Sequence, residues 1–320
     1  MEVVRVDPER PDHAAIAAAA DILRTGGLVA FPTETVYGLG ADARDEHAVR
    51  AVFAAKGRPA DNPLIVHVAD LAGLHEVTAR VSPLALELAQ RFWPGPLTLV
   101  LDAAAHLPAV TTGNLRTVAV RVPDHPVALA LLRAAAVPVA APSANRSGRP
   151  SPTTAAHVVA DLDHEPVALV LDAGPCPIGI ESTVVDARGR APVILREGAV
   201  TREALGDAAH AVGSPASPGT RYRHYAPSCP VEIVPAGHGP DRAAALARNG
   251  LRVGLVAGEP APEGVTTLAI IDGPAALARL LYEALRTAEI HGLDIVLVEA
   301  VAETGIGRAV MDRLRRATAR

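Results

Sequence analysis

The chain has 320 residues, 49% hydrophobic and 20% charged, with a formal net charge of −5. That length suits roughly two domains whose cores need no disulfide or metal, and the composition excludes a disordered or fibrous chain. The acidic balance and 2% aromatic content argue against a non-specific nucleic-acid binder and a base-stacking platform, and two cysteines, Cys176 and Cys229, argue against a disulfide framework or a four-cysteine zinc site.

Asp12 to Gly26 reads as a helix, with Ile16, Ala20 and Leu23 at helical spacing. Leu28 to Phe31 reads as a short buried strand ended by Pro32. Asp45 is placed to cap a helix that Gly57 terminates. A strand at Leu64–Val68 follows, then a helix opened by Ser82-Pro83 and running to Phe92. Further strands are expected at Leu97–Asp102, Thr117–Val122, Pro138–Ala141, Val167–Asp172, Thr183–Asp186 and Val193–Arg196. Strands interleaved with helices predict an α/β architecture for residues 1–212. Residues 213–230, rich in proline and serine, read as a linker. A second, smaller α/β pattern occupies 231–320. Its strands are expected at Val231–Val234, Arg252–Val256, Thr267–Ile271 and Asp294–Val298, and its helices at Asp241–Asn249, Ala275–Ile290 and Gly307–Ala317.

The N-terminus, with Glu2, Arg5 and Asp7, does not read as a signal peptide, and no apolar run reaches the ~18 residues of a membrane helix. The best candidate, Val127 to Ala141, is interrupted by Arg133 and Pro138. With cysteines suited to a reducing compartment, a cytoplasmic location and no membrane partner are expected.

Among the basic residues 29 are arginine and one is lysine, Lys56. In a chain that uses arginine so consistently, a lone lysine points to a site needing a compact point charge. Nucleotide motifs are weak. No P-loop is present; Gly38-Leu-Gly40 does not lead from a strand directly into a helix, Gly305-Ile-Gly307 lies between a strand and a helix but has no acidic residue about 20 positions on, and both read as turns or caps.

Five segments are unusually polar. Residues 32–40, PTETVYGLG, follow a buried strand, where open α/β sheets place ligands. Residues 56–64, KGRPADNPL, hold Lys56 and Arg58, and His67 follows; that histidine reads equally as structural or as part of a site. In the strand at 117–122, Val118, Val120 and Val122 share one face, and Thr117, Ala119 and Arg121 the other. An arginine in such a strand needs an anionic partner. Residues 141–153 form a strand-exit loop loaded with hydroxyls and amides, and residues 179–186 precede Arg196. No paired carboxylates, H-E-x-x-H or G-x-S-x-G is present, and no metal-ligand set is read. The inventory describes a site for an anionic, phosphorylated small ligand.

Taken together, PTETVYGLG (32–40), KGRPADNPL (56–64), V-R-V-P around Arg121, SANRSG (143–148), ESTVVD (181–186) and SPGTRYRHYAP (217–227) resemble the YrdC superfamily in its longer, two-domain form. The resemblance spans essentially the whole chain. It implies a twisted mixed α/β sheet with helices around a concave cavity, followed by a Rossmann-like domain. It implies an L-threonylcarbamoyladenylate synthase, a nucleotidyltransferase that makes threonylcarbamoyl-AMP and pyrophosphate from L-threonine, bicarbonate and ATP with Mg²⁺. The product would pass to a threonylcarbamoyl transferase acting on the tRNA adenosine beside the anticodon, so this step needs no tRNA. By the family pattern Thr35, His67, Arg121, Ala141 and Ser182 would hold threonine and its carbamate. Lys56, Arg58, Asn62, Thr117, Ser143, Asn145, Ser151, Arg196 and Tyr225 would hold the nucleotide, with Lys56 and Arg58 catalytic. Two other readings are an RNA-binding module of tRNA or ribosome maturation, and a carbamoyl-transfer domain; charge and aromatic content oppose the first, cysteine count the second. Two further expectations follow: that replacing Lys56 costs catalysis but little stability, and that Ser217–Pro227 forms a lid over the cavity.

Overall fold

The structure, a computed structural model, describes residues 1–206, 209–211 and 225–318. Most of the linker, and of the lid expected at Ser217–Pro227, lies outside the described residues. The described chain forms two compact units: residues 1–147, 152–177 and 181–211 in the first, and residues 148–151, 178–180 and 225–318 in the second.

The first unit is built on β1 (Glu2–Arg5), β2 (Leu28–Phe31), β3 (Gly38–Asp42), β4 (Ile65–His67), β5 (Thr78–Arg80) and β6 (Leu97–Ala103). It continues with β7 (Thr117–Arg121), β8 (Val139–Ala140), β9 (Val167–Asp172), β10 (Thr183–Asp186), β11 (Val193–Arg196) and β12 (His210–Ala211). They form one mixed sheet in the order β1-β9-β2-β3-β8-β4-β7-β6-β10-β11-β12, with β5 paired to β6.

Local signals set the helices. Asp45 accepts hydrogen bonds from the amides of His47 and Ala48, and Gly57 closes Glu46–Lys56 in a left-handed conformation. Ser82 caps Pro83–Phe92, with proline in the first turn. The apolar stretch at 127–141 divides into the helix Pro126–Ala135 and strand β8. β3 was not expected, because Gly38 and Gly40 read as turn residues. Strand pairing uses the missing side chain: a Cβ at Gly40 would lie 2.8 Å from Val139 Cγ1 and 2.9 Å from Phe31 Cε1.

Register then fixes which side chains share a face. β4 and β7 are parallel, with His67 beside Arg121 and Ile65 beside Ala119. β6 is antiparallel to β7, placing Val100 opposite Ala119. β10 runs parallel to β6, with Val184 beside Thr98. Val118, Val120 and Val122 face the main core with Leu97, Leu99, Leu101 and Val66. On the other face Ile65, Val100, Ala119 and Val184 form a small buried floor against which Leu195 packs. The alternation expected at 117–122 is therefore the division between core and site.

The second unit is a parallel sheet of β13 (Val231–Val234), β14 (Val253–Ala257), β15 (Thr266–Ile270) and β16 (Ile295–Glu299), in the order β13-β16-β14-β15. The helices Gly239–Arg248, Pro274–Ile290 and Ile306–Thr318 belong to it. Tyr225 is buried here, stacked on Tyr282 at 5.5 Å between ring centroids, with Arg313 over its ring. Residues 148–151 are tied in by Arg286, which donates to the Pro150 carbonyl, and by the Arg149–Glu289 ion pair. At the carboxyl end of β16 the Glu299 carboxylate accepts from the amides of Gly239, at 2.9 Å, and Gly258, at 3.1 Å.

A close backbone approach sets the start of β10. A Cβ at Gly198 would lie 2.3 Å from both Ser182 C and Thr183 N, so no side chain fits without moving the strand. Gly198→Ala is expected to destabilise the first unit by ~2 kcal/mol or more. A melting temperature equal to that of the wild type would contradict this packing.

Candidate functional site

The site face of the first unit gathers polar groups from separate strand ends. After β2 the chain turns through Thr33, whose Oγ1 donates to the Val36 carbonyl at 2.7 Å and lies 2.8 Å from Thr35 Oγ1. At the end of β7, buried Arg121 donates from Nη1 to Thr35 Oγ1 at 2.9 Å and from Nε to the Gly95 carbonyl at 3.2 Å. Its Nη2 lies 2.6 Å from Glu34 Oε1, an ion pair with both side chains buried. One guanidinium thus touches the loop after β2 and the loop before β6.

His67, beside Arg121 in the register, is buried with its ring edge-on to Phe31 at 6.1 Å. Burial pushes its pKa down to about 3, and the Arg121 charge pushes the same way. His67 is therefore neutral at physiological pH. Its Nδ1 has no hydrogen-bond partner among the described residues. Ala141 is buried just past β8, its amide donating to the Ile65 carbonyl. At the start of β10, Ser182 Oγ lies 2.8 Å from Thr98 Oγ1, and Arg196 Nη2 donates to the Ser182 carbonyl at 2.8 Å. Thr117 is half-buried on the same face of β7, two residues from Ala119.

The second group lies where Glu46–Lys56 ends. Lys56 is 2% exposed and its Nζ donates to the carbonyls of Ser143 and Asn145, each at 2.5 Å. Ser147 N returns a bond to the Lys56 carbonyl at 2.8 Å. Ser143 Oγ donates to Asn145 Oδ1 at 2.6 Å. Arg146 anchors this loop by donating to the Asp161 carbonyl and pairing with Glu165 at 2.9 Å. Arg58 folds over its own loop, donating to the Pro63 carbonyl at 3.1 Å, and Asn62 is buried there.

Of the expected site residues, Thr35, His67 and Arg121 are brought together directly, as are Ser182 with Arg196 and Lys56 with Ser143 and Asn145. Ser151 and Tyr225 are both buried and belong to the second unit. Sequence reasoning passed over Glu34, Thr98 and Gly95. Glu34 lies inside a quoted motif, but nothing local pairs it with a cation 87 positions away. The cationic and hydroxyl donors can hold anionic groups, and the buried apolar floor can exclude water from them.

This fold and site define a family. Residues 21–198 match the family model described as "Telomere recombination", that of Sua5, YciO and YrdC, and residues 193–319 match the threonylcarbamoyl-AMP synthase C-terminal domain. The chain belongs to this Sua5/YrdC family. It is 44% identical to the threonylcarbamoyl-AMP synthase of Pyrococcus abyssi, over 97% of this chain and 96% of that one. The Bacillus subtilis threonylcarbamoyl-AMP synthase is also 44% identical, over 94% of this chain and 92% of the relative. The crystal structure of P. abyssi Sua5 complexed with L-threonine superposes with a TM-score of 0.93 at 42% identity, covering 99% of this chain and 98% of that one. E. coli YciO matches 62% of this chain and 96% of its own, with a TM-score of 0.55 and 26% identity.

The state of His67 gives a pH prediction. Below its ordinary value of 6.5 the unfolded chain takes up a proton on His67, whereas the folded chain does so only near a pKa of about 3. Its contribution is thus intact above pH 6.5 and is lost as pH falls, with a slope of up to ~1.4 kcal/mol per pH unit. Melting temperature followed from pH 7 to 4 should fall less steeply in His67→Gln than in the wild type; parallel curves would refute the assignment.

Proposed function

We infer that this chain makes L-threonylcarbamoyl-adenylate and pyrophosphate from L-threonine, bicarbonate and ATP. The observation that carries the reading is the near-complete likeness to the threonine-bound P. abyssi Sua5 structure, at 42% identity and a TM-score of 0.93.

The threonine amine and bicarbonate form a carbamate with loss of water. A carbamate oxygen then attacks the α-phosphorus of ATP, and pyrophosphate leaves. Such a displacement needs positioning and charge neutralisation more than a covalent nucleophile. Arg121 and Thr35 take the threonine carboxylate, while His67, as a neutral ring, and Ser182 and the Ala141 backbone line the carbamate. Arg58, Asn62, Thr117, Ser143 and Arg196 serve the nucleotide. Lys56 shapes the Ser143–Asn145 loop and supplies positive charge beside the phosphates. Asn145 belongs to the same loop.

Among the described residues no three His, Cys, Asp or Glu side chains gather as a metal site. Lys56 and Arg58 are cations suited to phosphate oxygens, so an Mg²⁺ ion would be carried in by the ATP phosphates themselves and would neutralise part of their charge. The adenylate is hydrolysable, so a threonylcarbamoyl transferase acting on tRNA is its fitting consumer. Among the described residues no helix is long and apolar enough to cross a membrane. The sparse cysteines fit a cytoplasmic setting.

The test is direct: protein, ATP, Mg²⁺, bicarbonate and radiolabelled threonine should yield pyrophosphate and a labelled adenylate, and pyrophosphate release that ignores threonine would end this reading. Two variants sharpen it. Arg121→Ala is expected to weaken threonine binding by ~2–5 kcal/mol and ATP binding far less. Lys56→Ala is expected to suppress pyrophosphate release and also to lower the melting temperature. The sequence alone suggested little cost in stability for Lys56, but its ammonium is buried against two carbonyls, and charged hydrogen bonds contribute ~1.5–3 kcal/mol.

A further inference from the structure

Glu34 is a buried carboxylate that the reaction above leaves unused. Its side chain is 6% exposed, and neither carboxylate oxygen has a hydrogen-bond partner among the described residues. Oε1 lies 2.6 Å from Arg121 Nη2, yet the angles make no hydrogen bond, and Nη2 has none either. The other two guanidinium nitrogens are satisfied by Thr35 and Gly95. The pair is therefore balanced in charge but not in direction. A carboxylate can accept about four hydrogen bonds, and leaving a buried one without any is costly unless something else supplies the donors. Asp124, His125 and Cys176 also feel the Glu34 charge. No hydrogen bond from them to its oxygens is present, as the orphaned oxygens show.

We propose that Glu34 accepts the α-ammonium group of the amino-acid substrate, so that Glu34 and Arg121 together recognise a zwitterion. In the free protein the two side chains neutralise each other. An amino acid brings one carboxylate and one ammonium on adjacent atoms. Its carboxylate takes the open donors of Arg121, and its ammonium supplies the donors that Glu34 lacks. The exchange buries no net charge, which is what a site this dry requires. It also holds by its N–H groups the nitrogen that becomes the carbamate nitrogen. Glu34 would thus separate amino acids from hydroxy acids of the same shape, because an analogue without the amine leaves the carboxylate unpaired.

This inference rests on threonine being the substrate. Its test compares L-threonine with (R)-3-hydroxybutyrate, which keeps the carboxylate, hydroxyl and methyl and lacks the amine. Binding is measured by calorimetry on the full chain. The wild type should prefer threonine by about tenfold or more. Glu34→Gln should lower threonine affinity by a similar factor and leave hydroxybutyrate binding unchanged or tighter. Equal losses for both ligands would mean that Glu34 only orients Arg121, and would overturn the proposal. So would a wild type that binds both equally, a result that needs no variant to fold. Either result alongside threonine-dependent pyrophosphate release removes the role of Glu34 and leaves the activity standing; absence of that release removes the activity itself.

Discussion

Arg121 has to be charged and has to be buried, and the first unit is arranged around that conflict. Taking a guanidinium out of water costs several kcal/mol unless other groups replace its hydration. Here the replacements come from Thr35, Glu34 and Gly95, on two loops that β7 brings side by side. A buried ion pair of this kind seldom adds stability over an apolar pair of equal volume. Its presence at the end of a valine-rich strand is better explained by what the strand end must bind than by what the fold needs.

The same economy shapes the rest of the face. Alternation along β7 and the residue after it sends Val118, Val120 and Val122 into the main core and leaves Thr117, Ala119 and Arg121 on the opposite side. Parallel pairing with β4 adds His67 at the same level, already discharged by its surroundings. Lys56 shows why a point charge was kept where arginine is otherwise universal. Two carbonyls converge on one compact ammonium.

Much of the fold is written in local signals. Asp45 and Gly57 mark both ends of one helix, Ser82-Pro83 opens another, and β9, β10 and β11 fall at the expected residues. β3 is hidden because its glycines serve packing between strands, not a turn. β1 is hidden because its mostly exposed residues carry no period. The residues of the site were legible as polar groups at strand ends, but their grouping was not. Glu34 and Arg121 meet only after β2 and β7 take their places in a sheet ordered unlike the sequence. For the same reason a contiguous division of the chain misses residues 148–151 and 178–180, whose partners lie near the C-terminus.

The Glu299 carboxylate gives the second unit a distinct character. Parallel α/β sheets receive phosphates and other anions outside the carboxyl ends of their strands, where a helix amino terminus offers bare amides. In this unit that position, at the first turn of Gly239–Arg248, is occupied by a side chain of the same protein. An arriving phosphate would meet a fixed negative charge and amides already engaged. The unit therefore carries its own carboxylate at the place where this architecture usually takes an anion, and its Gly239 and Gly258 amides are engaged without any ligand.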